Sequence, residues 1–224
     1  MCGRFALVTE KYIIEMLYDM ELRADFDLQP RYNIAPSQEV PGLRLAPGGS
    51  GKELVELKWG LVPFWADDES IGNRMINARA ETAAEKPAFR DAFKKRRLLI
   101  PATGFYEWKK EGSSKRPYYI FRRDNRPFSL AGLWERWEKG SKQLETFTIL
   151  TTEPNELVAA LHNRMPVIIS PDEYERWLDP STLTEDLVSM LTPYPADEFY
   201  VRPVSRLVNN PANDSPAVLE EVSS

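Results

Sequence analysis

The only cysteine of the 224-residue chain, Cys2, follows Met1 directly, in "MCGRFALVTE". Aminopeptidases that remove an initiator methionine accept small second residues. Loss of Met1 would leave an α-amine and a thiol on adjacent carbons of Cys2. Their ordinary pKa values are about 7.7–8.0 and about 8.5, so both are partly nucleophilic near neutral pH. An aldehyde meeting this pair condenses with the amine to an imine. The thiol then adds to the imine carbon and closes a five-membered thiazolidine. An internal cysteine has an amide nitrogen and cannot do this. The alternative is a small apolar residue packed near a terminus, since free cysteines are often simply buried. Cys2 by itself leaves the two readings level.

Other side chains stand in settings that fit proton transfer or anion binding. The lone His162, in "ALHNRMP", follows a predicted short helix and precedes Pro166. Histidine moves protons near pH 7; a surface or capping role is the plain alternative. Glu107, in "PATGFYEWKK", follows Gly104 and sits among Phe105, Tyr106 and Trp108. Apolar surroundings raise a carboxyl pKa and make it a proton carrier; an outward-facing strand residue is the rival. Asn77 and Arg79 share "MINARAET". The amide can donate and accept, and the forked guanidinium fits phosphate; a turn asparagine beside a solvated arginine fits equally. "WGLVPFW" at 59–65 sets aromatic rings beside a proline, either as a wall on which bases stack or as a cluster at the core edge.

These residues need a scaffold, and length and patterning describe one. A chain of this length can bury enough surface to fold without disulfides or metal, and we read one domain over 1–224 with the last residues as a flexible tail. One Cys and one His leave no soft-ligand set for zinc, and no metal or cofactor is expected. Neither GxGxxG nor GxxxxGK[ST] occurs. There is no apolar run of membrane-spanning length and no signal core, which predicts a cytoplasmic protein with no membrane partner. A monomer is expected. The net charge of −5 argues against binding nucleic acid by bulk charge. A local basic cleft stays open, because Arg4, Arg79 and Arg164 each lie within two positions of one of the polar residues above.

Periodicity predicts a helix over 10–20, capped by Thr9, with Ile13, Met16, Leu17 and Met20 on its inner face. Strands are predicted at 53–59, 97–100, 104–108, 117–122, 128–133, 146–151 and 198–204. Residues 83–97 read as helix broken at Pro87, and 46–52 as a hairpin-type loop. A helix should start at Ser170, with Pro171 in its first turn and Glu173 completing a capping box. Leu183, Leu187 and Leu191 mark one more. Strands that arrive in neighbouring pairs favour an α+β fold, a mostly antiparallel barrel-like sheet with peripheral helices.

Taken in order, "MCGRF" at 1–5, "RYNIAPS" at 31–37, "WGLVPFW" at 59–65, "INARAET" at 76–82, "GFYEWK" at 104–109, "HNRMP" at 162–166 and "PVSRLVNN" at 203–210 resemble the SOS response-associated peptidase (SRAP) family. The resemblance runs from residue 2 to about 216. It implies a sensor and shield of abasic sites in single-stranded DNA, crosslinked through Cys2 as a thiazolidine after Met1 removal. Self-processing peptidase and lyase-type chemistry and a nucleoid or replication setting go with it. It also implies roles: Cys2 as nucleophile, Asn77 positioning amine or sugar, Glu107 handling the amine's proton, and His162 opening the sugar ring. Arg4, Arg79 and Arg164 would contact phosphates, and Trp65 and Pro36 would press against flanking bases. Two positions depart from the family pattern: Asn163 stands where an acid is common, and Ala66 where some members carry a second aromatic. Two rivals remain at this point: an N-terminal-nucleophile amidohydrolase or cysteine peptidase acting on peptides, and a non-covalent single-stranded DNA binding module.

Overall fold

The computed structural model describes residues 2–48 and 51–222. Its first strands are β1 (Phe5–Leu7), β2 (Arg31–Ile34), β3 (Glu39–Leu45), β4 (Lys52–Trp59), β5 (Asn77–Arg79) and β6 (Arg97–Ala102). They are followed by β7 (Gly104–Glu111), β8 (Ser114–Arg122), β9 (Phe128–Lys139), β10 (Lys142–Thr152), β11 (Met165–Pro166), β12 (Ile168–Ile169) and β13 (Phe199–Pro203). The helices are α1 (Lys11–Tyr18), α2 (Ala80–Ala83), α3 (Arg90–Lys95), α4 (Glu156–Ala159), α5 (Tyr174–Leu178) and α6 (Thr184–Ser189), joined by short 3-10 turns.

Every residue of β6 is buried, which suits a strand covered on both faces. It sits inside a closed ring of strands, β10–β4–β3–β6–β9, in which β9 pairs back onto β10. All neighbours in this barrel are antiparallel except β10 and β4, which run parallel with Phe147 opposite Trp59. A second, antiparallel sheet has the order β13–β8–β7–β1–β2. The two meet through aromatic rings: Phe5 of β1 lies 5.2 Å from Trp59, and Trp59 stacks on Phe147 at 6.1 Å. The expected mixed fold with a barrel-like, mostly antiparallel sheet is thus observed. The 46–52 loop joins β3 to β4, with Leu45 opposite Lys52; its residues 49–50 lie outside the described part.

Several local expectations change. The N-cap of α1 is Glu10, not Thr9, and makes no side-chain cap bond. The helix buries Ile14 and Tyr18, while Met16 points outward. Rotation by one position lets the Tyr18 hydroxyl meet Ser129 Oγ at 3.0 Å inside the core, so the ring is buried with its polar tip satisfied. Ser170 caps nothing with its side chain; Pro171–Glu173 form a 3-10 turn before α5. What fixes α5 instead is buried Arg97, which donates to the carbonyls of Trp177, Asp179, Phe93 and Lys94 and so ties the ends of α5 and α3 to the barrel. Leu187 is buried in α6, and Leu191 beyond it, but Leu183 is exposed. The chain stays packed as far as Val222, whose N–H donates to Pro203 O at 3.3 Å. The flexible tail expected of the last residues would fall on 223–224, outside the described residues. Among the described residues no helix is long and apolar enough to cross a membrane.

Candidate active site

The β1–β7 ladder sets Phe5 opposite Phe105, and the N–H of Tyr106 donates to Arg4 O at 3.0 Å. Continuing that pairing toward the terminus sets Gly3 opposite Glu107 and Cys2 opposite Trp108, and the Glu107 carboxylate acts electrostatically on the Cys2 thiol. Cys2 is fully buried. From the other side, β5 lies parallel to β10 with Asn77 opposite Ile149, and Asn77 Nδ2 donates to Cys2 O at 2.8 Å. The Oδ1 of Asn77 is buried with no hydrogen-bond partner among the described residues. It therefore offers an acceptor to a donor brought by a ligand.

Electrostatics couple Cys2 to Glu107. Burial pushes the Cys2 thiol well above its ordinary value, and the Glu107 carboxylate adds to the rise. Glu107 is itself 3% exposed. Burial raises its carboxyl above the usual range, against the pull of neighbouring positive charge, His162 included. A protonated thiol thus faces a carboxyl able to take or give a proton at higher pH than a solvated one.

His162 follows α4, its N–H donating to Val158 O at 2.9 Å. The Arg164 backbone N–H donates to its Nδ1 at 3.0 Å. A neutral ring with an accepting Nδ1 carries its proton on Nε2. Arg164, expected at phosphate, is otherwise engaged. Its guanidinium grips both oxygens of Glu81 in α2 at 2.5 and 2.9 Å and also donates to Thr151 O of β10. It pins the His162 loop to α2 and β10.

An open cleft of about 390 Å³ lies over these groups, lined by Arg4, Glu107, Trp108, Lys115, His162 and Asn209. Arg4 Nη1 donates to Asn33 Oδ1 at 2.7 Å and to Val208 O at 2.6 Å, with the guanidinium 5.8 Å from the Trp108 ring centre. Trp108 Nε1 donates to Asn209 Oδ1 at 2.7 Å. Fully buried Asn33 holds this edge together, its Nδ2 donating to the carbonyls of Val208, Asn210 and Asn213.

The structure therefore brings Cys2, Asn77, Glu107, His162 and Arg4 to one place. Arg79 is exposed two residues after Asn77 on β5, hence on the same face. Pro36 and Trp65 lie on loops that follow β2 and β4. The first loop is tied to the second by the Ser37 N–H donating to Trp59 O at 2.8 Å. The second depends on Gly60, at φ +129°, where a Cβ would sit 2.7 Å from Gly72 O; a side chain there would be both strained and blocked. This close crossing leaves Phe64 and Trp65 about half exposed. Ala66 turns inward, its carbonyl accepting from Trp137 Nε1, so Phe64 is the second exposed aromatic of the loop. Sequence reasoning did not single out Asn33, Lys115 or Asn209. The available signal was an asparagine inside the strand "RYNI", a residue type that strands disfavour.

A family model described as SOS response associated peptidase (SRAP) matches residues 1–211. The chain belongs to the SRAP family. It is 45% identical over 224 residues to the abasic site processing protein YoqW of Bacillus subtilis (strain 168), covering 98% of this chain and 99% of that one. The abasic site processing protein YedK of Escherichia coli (strain K12) is 32% identical over 228 residues, covering 99% and 100%. The abasic site processing protein HMCES of Gallus gallus is 32% identical over 223 residues, covering 85% of this chain and 66% of its own. A crystal structure of a protein from Bacteroides thetaiotaomicron superposes with a TM-score of 0.87 at 29% identity, covering 99% and 100%.

Proposed function

We propose that this SRAP protein processes abasic sites in single-stranded DNA by trapping them covalently on Cys2. The names of its relatives support abasic-site processing. The observation that carries the covalent reading is the gathering around buried Cys2 and its neighbour Glu107 of an amide with a spare acceptor, a carboxyl of raised pKa and a histidine held by the Arg164 backbone.

The steps balance once Met1 has been removed. His162 relays the proton of the C1′ hydroxyl to the ring oxygen of the abasic sugar as it opens, giving the C1′ aldehyde and a free hydroxyl with the imidazole unchanged. The Cys2 α-amine attacks C1′, and Glu107 carries the amine's proton to the departing hydroxyl, so water leaves and an imine forms. The Cys2 thiol adds to the imine carbon, its proton ending on the nitrogen. The product is a thiazolidine, one water lighter than its reactants. Asn77 aligns Cys2 through its carbonyl and gives Oδ1 to the amine. Arg4 and Arg79 meet phosphates, while Trp65 and Pro36 flank the neighbouring bases, a sequence-tolerant mode of binding. Arg164 acts through its backbone on His162. Self-removal of Met1 and strand cleavage by β-elimination from the imine draw on the same groups.

Intact mass tests this. Single-stranded DNA with an aldehydic abasic site should give a heat-resistant adduct weighing protein plus DNA minus water, on a chain lacking Met1. A reduced abasic sugar should give none, and Cys2→Ala should form no stable adduct. Equal adduct on the reduced sugar, or on Cys2→Ala, refutes the mechanism.

A further inference from the structure

The β7–β8 hairpin concentrates positive charge. Its register sets Lys110 directly opposite Lys115, and Lys109 opposite Arg116. Like charges facing each other across a ladder are destabilising. Residues 109–116 hold four basic side chains and one acid, Glu111, in a chain whose net charge is −5. Glu111 accepts from Tyr118 Oη, and among the described residues no ion pair includes Lys109, Lys110 or Lys115. The Lys110–Lys115 pair costs stability and has no ion-pair partner among the described residues, which points to an anion from outside.

Its position says which anion. Side chains two apart on a strand share a face, so Trp108 and Lys110 point the same way, with Lys115 across from Lys110. Trp108 and Lys115 both line the cleft over Glu107 and His162, and Arg4 lies over the Trp108 ring. The cleft thus continues outward as cation, aromatic ring and paired cations, the pattern that tracks a nucleic-acid backbone while stacking a base.

We propose that the Lys110–Lys115 face carries the phosphates of the DNA strand where it leaves the cleft on one side of the lesion. This rests on the DNA reading above. It extends the footprint beyond the abasic nucleotide and makes it lopsided.

Anisotropy titrations across a range of salt, with strands carrying a reduced, unreactive abasic sugar, test it. One strand ends close to the lesion on both sides; two others are longer by several nucleotides on the 5′ or the 3′ side only. The parent should gain affinity from one extension and not from the other. The double variant Lys110→Gln/Lys115→Gln should lose that gain. Its salt slope on the favoured strand should fall by about 1.4, or about 0.7 per phosphate contact, equivalent to about 25-fold at 0.1 M salt. Lys110→Glu should weaken the same strand further yet raise the melting temperature, because opposite charges then face each other across the ladder. A parent that gains equally on both sides, or a double variant that keeps slope and gain, overturns the proposal and leaves the patch to another anion, such as an acidic polypeptide. Failure of the underlying DNA reading is separately visible, as absence of any adduct between the parent and an aldehydic strand.

Discussion

Asn33→Ala removes the amide that clasps the 208–213 segment against β2. Four hydrogen bonds go with it: three donated by Nδ2 and one accepted from Arg4. Their losses are unequal. Val208 O keeps the Arg4 guanidinium at 2.6 Å, and Asn210 O keeps the Asn213 N–H at 3.0 Å. Asn213 O keeps no partner among the described residues. Counting about 1 kcal/mol for an ordinary bond and about 1–3 kcal/mol for an orphaned acceptor, with the shared acceptors discounted, the cost comes to about 3 kcal/mol. For a chain of this length that lowers the melting temperature by about 6–12 °C. Urea denaturation followed by far-UV circular dichroism measures the first figure, and a thermal melt the second. Adduct formation should suffer as well, since Arg4 loses one of its two anchors and Asn209, the partner of Trp108, lies on the loosened segment. A cost below about 1 kcal/mol would refute the idea that this amide holds the cleft edge.

Glu107→Gln should slow adduct formation by about tenfold or more, the contribution of a positioned proton carrier, read as a single-turnover rate at saturating protein. Its effect on stability should have the opposite sign at neutral pH. Burial raises the folded-state pKa above the ordinary 4.5, so the parent is fully stabilised by this group below that value and loses the contribution as pH rises through the raised one; denaturation midpoints at pH 4 and pH 8 should show the variant escaping that loss. Glu81→Gln releases the Arg164 guanidinium and should cost under about 1 kcal/mol, as exposed ion pairs do. Because Arg164 fixes the His162 ring, the same variant should alter the pH profile of the single-turnover rate, and an unchanged profile would deny Glu81 a positioning role. Arg79→Ala should weaken binding to intact and abasic strands alike and lower the salt slope by about 0.7, checked by titration at several salt concentrations.

The long strands β7 to β10 were readable because their apolar and aromatic residues recur over many positions. β1, β5 and the two-residue strands β11 and β12 are too short to show a period, and β3 contains Pro41 and Gly42, which local rules assign to loops. Pro41 is tolerated there because β3 meets β6 only at Leu43 opposite Leu99, so its missing N–H costs no ladder bond on that side. Closure of the barrel depends on β10 running parallel beside β4, a pairing between segments far apart in sequence that no local pattern encodes. At the site, residue types and motif order singled out Cys2, Asn77, Glu107 and His162 as candidates, and the fold gathers them at one cleft. They gave no sign that Arg164 would pair with Glu81, 83 positions away. Nor did they pick out Asn33, whose purpose appears only once three carbonyls of a distant segment surround it.

The place of β1 bears on timing. It is an inner strand, with β2 on one side and β7 on the other, and its Phe5 waits for Phe105, made a hundred residues later. During synthesis β1 is therefore made about a hundred residues before the strand that completes its pairing. An enzyme that trims nascent chains meets an extended, accessible Met1–Cys2 bond. One that arrives after β7 has docked meets a Cys2 with no exposed surface. On the proposed mechanism, an outside enzyme that uncovers the α-amine of Cys2 would have to act within the interval set by the distance between those two strands along the chain.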